Sequence, residues 1–317
     1  VRLLTFAAVE APILFLGETL VDLICEHPLD DWSQADSFVP HCGGAPTNSA
    51  IVASRCGAGV AIAGGVGDDQ WGRWLERRLL DERIDLRWWK RLPGTQTAVA
   101  FDVIDREARP DFLIYGEGIE RALEALELEL EEAVSSSAAL EIGSNTLLGR
   151  REREISEHAR SLALSNDKPL VVDVNLRPAR WPDLAQAVEV VRFVCDGAFM
   201  VKVNSEEAYV LSGEPDPARA AEALCVELGA RITLVTLGAE GALVRGEASA
   251  DAPGVSVRVA DTTGAGDALL GVVLGALLRS DFDPRAVAQA LPLAVEVAAK
   301  STEGYGAVDS LPEEIRL

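Results

Sequence analysis

Apolar runs rich in Val, Ile and Leu recur along the chain as "ILFLGE", "GVAIAGGVG", "PLVVDVN", "AFMVKVN", "ITLVTLG" and "GVSVRVAD", with stretches of helical period between them. Strands buried on both faces read as near-continuous apolar runs, and parallel neighbours need helical crossovers. The alternation therefore predicts an α/β sandwich built on a mostly parallel sheet. Helices are expected over 46–56, 71–82, 150–165, 183–193, 205–212 and 217–228. Two segments break the rhythm, about 19–40 and 94–116. They alternate with period two, as in "TAVAFDVID" and "PDFLIYGEG", and leave no room for a crossover helix. They are expected to pair as a small antiparallel sheet standing off the main layer.

The chain has 317 residues, enough for one large domain with an appendage, and no internal repeat or low-complexity linker divides it. The Glu- and Leu-rich stretch "LEALELELEEAVSSSAA" reads as a solvated helix with a Ser-rich end. With 29 Lys+Arg against 51 Asp+Glu the formal charge is −22, which repels nucleic acid and anionic membranes. An anionic ligand must be held by a local device such as converging amides or a bound cation. Five cysteines without a CxxC pair suit a reduced, cytoplasmic protein, and three histidines without HExxH argue against a His-based zinc site. The apolar N-terminal stretch is interrupted by Glu10 and Pro12, against a signal peptide. "ALLGVVLGALL", after Asp267, is too short to span a bilayer and reads as a buried core helix.

In open α/β sheets ligands gather beyond the carboxyl ends of strands, and several apolar runs here end in polar residues. Glu18 and Asp22 follow the first run, and Asp173, Asn175 and Arg177 end "VVDVNLR". Asn204 and Glu207 end "VKVNSEE", and Thr236, Gly238 and Gly241 lie in "LVTLGAEG". Asn204 and Glu207 have the spacing of a helix capping box, a role compatible with facing a metal-bound phosphate. Arg177 is open to either a loop ion pair or a ligand contact. In "DTTGAGD", residues 261–267, the amides of Gly264, Ala265 and Gly266 can converge at the positive end of a helix dipole. A plain helix start capped by Thr263, with Asp267 favouring the dipole, is the competing reading. Asp261 and Asp267, flanking such an anion hole, are harder to explain structurally.

Other phosphate-handling patterns are missing. No lysine follows a glycine, as Walker A requires; no HRD or DFG triplet occurs; and "TGAGDALLG" and "CGAGVAIAGG" lack the GxGxxG spacing.

"DTTGAGD" followed by an apolar helix, together with "GGAPTNSAIVASRCGAGVAIAGGVGDDQWG" at 43–72, resembles the two signatures of the ribokinase-like, phosphofructokinase-B type carbohydrate kinases. The intermediate landmarks fall in order over nearly the whole chain: "GETLVD", "VDVNLRPARW", "KVNSEEAYVLSGE", "VTLGAEGA" and "STEGYGAV". The resemblance implies a three-layer α/β/α sandwich over 1–317 as a single domain, with the two irregular segments forming a β-sheet lid. It implies ATP- and Mg²⁺-dependent phosphorylation of a hydroxyl on a sugar or nucleoside. Asp267 is then the base, and Gly264, Ala265 and Gly266 stabilise the transferring phosphoryl group. Asp22, Gly43, Gly44 and Asn48 match sugar-contacting positions, and Asn175 and Arg177 the substrate-side strand end. Asn204 and Glu207 match the NxxE motif that organises Mg²⁺ and phosphates through water. Thr236, Gly238 and Gly241 match the nucleotide side, "STEGYGA" lies near the adenine, and Asp261 and Thr263 fit the place of a K⁺ ion.

His41-Cys42 before the double glycine, and Leu269 where the family commonly has Phe, depart from the pattern. "NLRPARWPD" and "GETLVD" resemble fructokinases most, with 2-keto-3-deoxygluconate kinases close behind. Those keto-acid kinases commonly carry a Tyr-Arg pair on the lid, whereas Tyr115 here precedes Gly116 and Glu117, an acidic setting that disfavours an acid. The expected acceptor is thus a neutral sugar, fructose first. The alternatives are 2-keto-3-deoxygluconate, a riboside or nucleoside, or a catalytically silent sugar-binding regulator. The expected partners are sugar and ATP, with no nucleic acid or membrane, and the family resemblance adds a homodimer formed through the lid.

Overall fold

The structure is a computed structural model that describes residues 11–116 and 118–317. The reading of the N-terminal stretch up to Glu10, and the acidic Glu117 of the acceptor argument, lie outside the described residues.

The chain begins with β1 (Ile13–Leu16), β2 (Leu20–Cys25), β3 (Val39–Gly43), α1 (Ala45–Arg55), β4 (Val60–Gly67), α2 (Gln70–Asp81) and β5 (Trp89–Leu92). There follow β6 (Val99–Ile104), β7 (Pro110–Tyr115), α3 (Gly118–Leu126), α4 (Leu130–Ser135), β8 (Ala139–Gly143), α5 (Arg150–Ser165) and β9 (Leu170–Asp173). The C-terminal part adds α6 (Leu184–Cys195), β10 (Met200–Asn204), α7 (Ser205–Ser212), α8 (Pro217–Leu228), β11 (Ile232–Thr236), β12 (Gly241–Gly246), β13 (Ala250–Pro253), α9 (Ala265–Arg279) and α10 (Arg285–Ser301). Among the described residues no helix is long and apolar enough to cross a membrane.

The large sheet runs β13-β12-β11-β10-β9-β8-β1-β4-β5. It is parallel from β5 through β11, with β12 and β13 added antiparallel at one edge. Alternate side chains of β1 show the layering directly. Ile13 and Phe15 pack with α1, α2, α9 and α10, whereas Leu14 and Leu16 pack on the other face with α3 to α8. The expected three-layer α/β/α sandwich is therefore present. Nearly all of α9 is buried, and it meets α1 closely: a Cβ on Gly271 would stand 2.6 Å from Val52 Cβ.

The small sheet has the order β3-β2-β6-β7 and draws on both irregular segments. Its central pair corrects the expectation of an antiparallel sheet, because β2 and β6 run parallel, with Val21 opposite Val99 and Asp22 opposite Ala100. The chain leaves β2, builds β3, α1, β4, α2 and β5, and returns in the same direction. Only the flanking pairs β2–β3 and β6–β7 are antiparallel. "GVSVRVAD" is also corrected: the ladder ends with β13 at Pro253, and the run continues as a strandless loop. Val255 and Val259 stay exposed there, so period-two alternation without a neighbouring strand made no ladder. The Glu- and Leu-rich stretch is broken between α3 and α4, with Leu123, Leu126 and Leu130 buried and Leu128 exposed.

Candidate active site

A cavity of about 490 Å³ opens between the small sheet and the carboxyl ends of the large-sheet strands. Its floor begins at the start of α9. Gly264 holds a left-handed conformation, φ 73°, and a Cβ there would stand 2.1 Å from Ala307 Cβ. Only glycine fits this turn. The amides of Gly264 and Gly266 find no acceptor among the described residues, while that of Ala265 makes a long bond of 3.4 Å to the Thr262 carbonyl. Asp267 follows in the first turn. Asn48 Nδ2 donates to its Oδ2 at 2.9 Å, and Ser49 Oγ donates to its backbone carbonyl at 3.1 Å. Oδ1 is left for another donor. Burial pushes the Asp267 carboxyl up to about 6, against the pull of the Lys202 ammonium. Asn48 presents a second, unsatisfied group, its Oδ1, buried without a partner in the same cavity.

Asp261 shapes the loop before α9. Its Oδ1 accepts from Thr263 N at 2.8 Å and its Oδ2 from Gly306 N at 3.2 Å, tying "STEGYGA" to "DTTGAGD". The Thr263 hydroxyl beside it is buried without a partner. Tyr305, in the same C-terminal segment, packs against Ile24 and Ile104 of the small sheet.

Asn204 and Glu207 form the capping box their spacing predicts. Asn204 Oδ1 accepts from Glu207 N, and Glu207 Oε2 accepts from Asn204 N, both at 2.8 Å. Glu207 Oε1 also accepts from Leu176 N at 2.7 Å, bolting the loop after β9 to the start of α7. Burial raises the Glu207 carboxyl, and Lys202 opposes the shift. Both residues also line the cavity, so the capping role does not take them out of it.

Asp22 lies on β2 with its carboxylate over Gly43, where a Cβ would come within 2.0 Å of Asp22 Oδ2. Gly44, φ 104°, starts α1 where a Cβ would stand 2.4 Å from the Glu18 carbonyl. Asn175 holds φ 34°, and Arg177 beyond it has no ion pair among the described residues. It donates to the Leu176 carbonyl and lies 5.7 Å over the Phe112 ring of β7, so it touches the small sheet. Asp22, Gly44, Asn48, Asn175, Arg177, Asn204, Glu207, Thr236, Thr263, Gly264, Gly266 and Asp267 all line the cavity. Gly43, Asp261 and Ala265 lie just behind that wall. Gly238 and Gly241 stand apart from it, in the β11–β12 turn, where Gly241 lets its backbone approach the Ala252 carbonyl.

Sequence reasoning missed the buried charges of Lys202, Glu141 and Asp102, although it had picked out Asp173 and Glu18 beside them. Lys202 on β10 sits opposite Asp173 on β9 and donates to both its oxygens at 2.9 and 3.0 Å. The ammonium lies beneath the first turn of α9, 2.7 Å from where a Cβ on Gly266 would stand. Despite burial, the carboxylates of Asp173, Asp267 and Glu207 hold it above the ordinary lysine range. Glu141 on β8 is buried with Oε2 unpartnered, its carboxyl driven well up by burial and by Asp173. Glu18 accepts from Asn145 Nδ2 at 2.8 Å, and Asn145 in turn accepts from Arg180. Asp102 of β6 is buried on the lid side of the cavity with Oδ1 unpartnered. A charge within an otherwise apolar strand was the available signal for Lys202, Glu141 and Asp102.

A mostly parallel sandwich with a small sheet over its carboxyl edge is the architecture of ribokinase-like proteins. The family model for pfkB family carbohydrate kinases matches residues 11–314, and the chain belongs to that family. It is 30% identical over 307 residues to Fructokinase-1 of Zea mays, covering 95% of each chain. It superposes on the fructokinase of Vibrio cholerae, solved with fructose, ADP and calcium ion, with a TM-score of 0.80, 26% identity and 96% of each chain covered. The aminoimidazole riboside kinase of Salmonella enterica, solved with its riboside and an ATP analogue, matches with a TM-score of 0.78 and 26% identity over 95% of this chain and 96% of that one. The protein is an ATP-dependent sugar kinase.

Proposed function

We propose that the protein transfers the γ-phosphoryl group of ATP to a hydroxyl of fructose, with Asp267 as the base. The single observation carrying the chemistry is Asp267 itself, buried in the first turn of α9 with Oδ2 held by Asn48 and Oδ1 left for a substrate hydroxyl. The acceptor oxygen bonds to phosphorus as its proton passes to Asp267, the bond from phosphorus to the bridging oxygen breaks, and ADP leaves. The amides at Gly264, Ala265 and Gly266 take up charge on the transferring group, with Lys202 beneath them adding to the field.

Asp22, Gly43, Gly44, Asn48, Asn175 and Arg177 form the acceptor side in this reading, and Asn204, Thr236, Gly238 and Gly241 the nucleotide side. Mg²⁺ is the metal proposed, with Asn204 and Glu207 organising it and the phosphates through water. Both Glu207 oxygens keep acceptor capacity after meeting the backbone amides, so the residues fit. Bound there, the ion would neutralise phosphate charge. Asp261 and the unpartnered Thr263 hydroxyl likewise suit a K⁺ ion.

Fructose is favoured by the fructokinase relatives. The decisive experiment is ATP consumption with Mg²⁺ and K⁺ across fructose, 2-keto-3-deoxygluconate, ribose, glucose and adenosine. Fructose is expected to give the highest kcat/KM. A higher value for the keto acid or adenosine would reassign the acceptor, and binding of sugar without any turnover would support a silent regulator.

A further inference from the structure

The inner face of the small sheet carries two buried carboxyl groups that nothing among the described residues partners. Asp22 pairs across β2–β6 with Ala100, and Asp102 lies two residues further along β6, so all three project from the same face. Asp22 and Asp102 are 7% and 3% exposed, and both line the cavity. Among the described residues, neither carboxylate takes a hydrogen bond or an ion pair, and Asp102 Oδ1 is buried with no partner at all. Ordinarily a buried carboxylate is paired or fully hydrogen-bonded, because its desolvation is otherwise uncompensated.

Most of the charged neighbours are themselves carboxylates. Asp22 is faced by Asp102, Asp261, Asp267 and Glu18, and Asp102 by Asp261 and Asp111. His41 of β3 acts on Asp102 with the opposite sign, and its ring is already held between Asp309, at 2.5 Å, and Glu26, at 3.0 Å. None of the cavity's other cations is paired with Asp22 or Asp102 among the described residues. Lys202 serves Asp173, Arg180 serves Asn145, and Arg177 lies over Phe112. Burial and the neighbouring carboxylates push both carboxyls up, Asp102 to about 7. A neutral hydroxyl gives such a wall a hydrogen bond only, whereas a cation would also draw the carboxyls back to their ionised form. An alkylammonium brings three donors and a full positive charge.

We infer that the acceptor preferred by this kinase carries a protonated amine, and that Asp22 and Asp102 on the inner lid face bind it. The substrate class is an amino-substituted sugar, and Asp102 is the specificity-determining residue that separates it from the neutral parent. The inference rests on the sugar-kinase reading above and refines its acceptor.

The test compares kcat/KM for D-fructose and 1-amino-1-deoxy-D-fructose, and for D-glucose and D-glucosamine, in the wild type and in Asp102→Asn. Equilibrium binding of the same four sugars is measured by calorimetry. In the wild type the amine of one pair is expected to be favoured about tenfold or more, falling toward unity in Asp102→Asn, which keeps the shape of the side chain and removes its charge. Efficient turnover of fructose with no preference for either amine would overturn the inference and leave the fructokinase reading standing. A preference that survives Asp102→Asn would also overturn it. If fructose is not turned over, the fructose reading fails separately, and calorimetry still decides: amine binding no tighter than the neutral parent sinks the inference.

Discussion

Asp267 is the residue on which the proposed chemistry turns, and its surroundings fix how it should behave. Asn48 holds one oxygen, and burial raises the carboxyl to about 6. Asp267→Asn keeps the shape and the Asn48 contact but loses the proton acceptor, so kcat should fall by roughly 10²-fold or more with ATP binding nearly intact. Steady-state kinetics with nucleotide titration checks both halves. A base must be deprotonated to act, so kcat/KM of the wild type should rise with pH through an acid limb near 6 and level off above it. A profile flat from pH 5 to 8 would separate Asp267 from the rate. At this scale the sequence was legible where a motif has fixed local geometry: the "DTTGAGD" turn and the Asn204–Glu207 box formed as their spacing dictates. Lys202, Glu141 and Asp102 were not legible, because a charge in a strand declares its partner only once the register is known.

Among elements, the β9–β10 pair shows what register adds. The Asp173–Lys202 pairing places a buried cation under the first turn of α9 and beside Glu207. Lys202→Met leaves Asp173 buried without its partner and should cost about 3–5 kcal/mol in denaturant unfolding; adding Asp173→Leu should recover much of that loss. The single variant should also move the acid limb of kcat/KM upward, since Lys202 is the main group holding Asp267 down. At the N-terminus of α9, Gly264→Ala meets both a positive φ and Ala307. It should destabilise the fold by about 1–3 kcal/mol and lower kcat more than it changes acceptor KM. Most elements of the large sheet could be read from apolar runs ending in polar residues. The errors came where alternation had to stand in for pairing: "GVSVRVAD" has the pattern of a strand without a neighbour, and β2 and β6 alternate alike whether they run parallel or antiparallel.

For the whole molecule, the small sheet has two different faces. Asp22, Ala100, Asp102 and Phe112 belong to the cavity side, whereas Leu113 and Tyr115 stand exposed on the other, with Phe101 opposite Leu113 and edge-on to Tyr115. An exposed apolar face on a four-stranded sheet supports the proposal that two copies pair through their lids. Light scattering should then report a dimer, and Leu113→Lys with Tyr115→Lys should shift it to monomer. A monomeric wild type would remove the proposal.

All four strands of that sheet come from the chain up to Tyr115, while Asn204, Glu207, Thr236 and Asp267 arrive much later. The proposed acceptor wall and the proposed phosphoryl-transfer floor are thus written mostly in different halves of the polypeptide, with Asn175 and Arg177 the exceptions on the acceptor side and Asn48, which holds Asp267, on the other. Recombination between relatives near the β7–α3 junction would exchange most of the acceptor wall while keeping Glu207 and the start of α9, provided the incoming half retains Asn48 and the α1 face that packs on α9. Diversification of sugar preference in such a lineage would then fall mainly in one stretch of its gene.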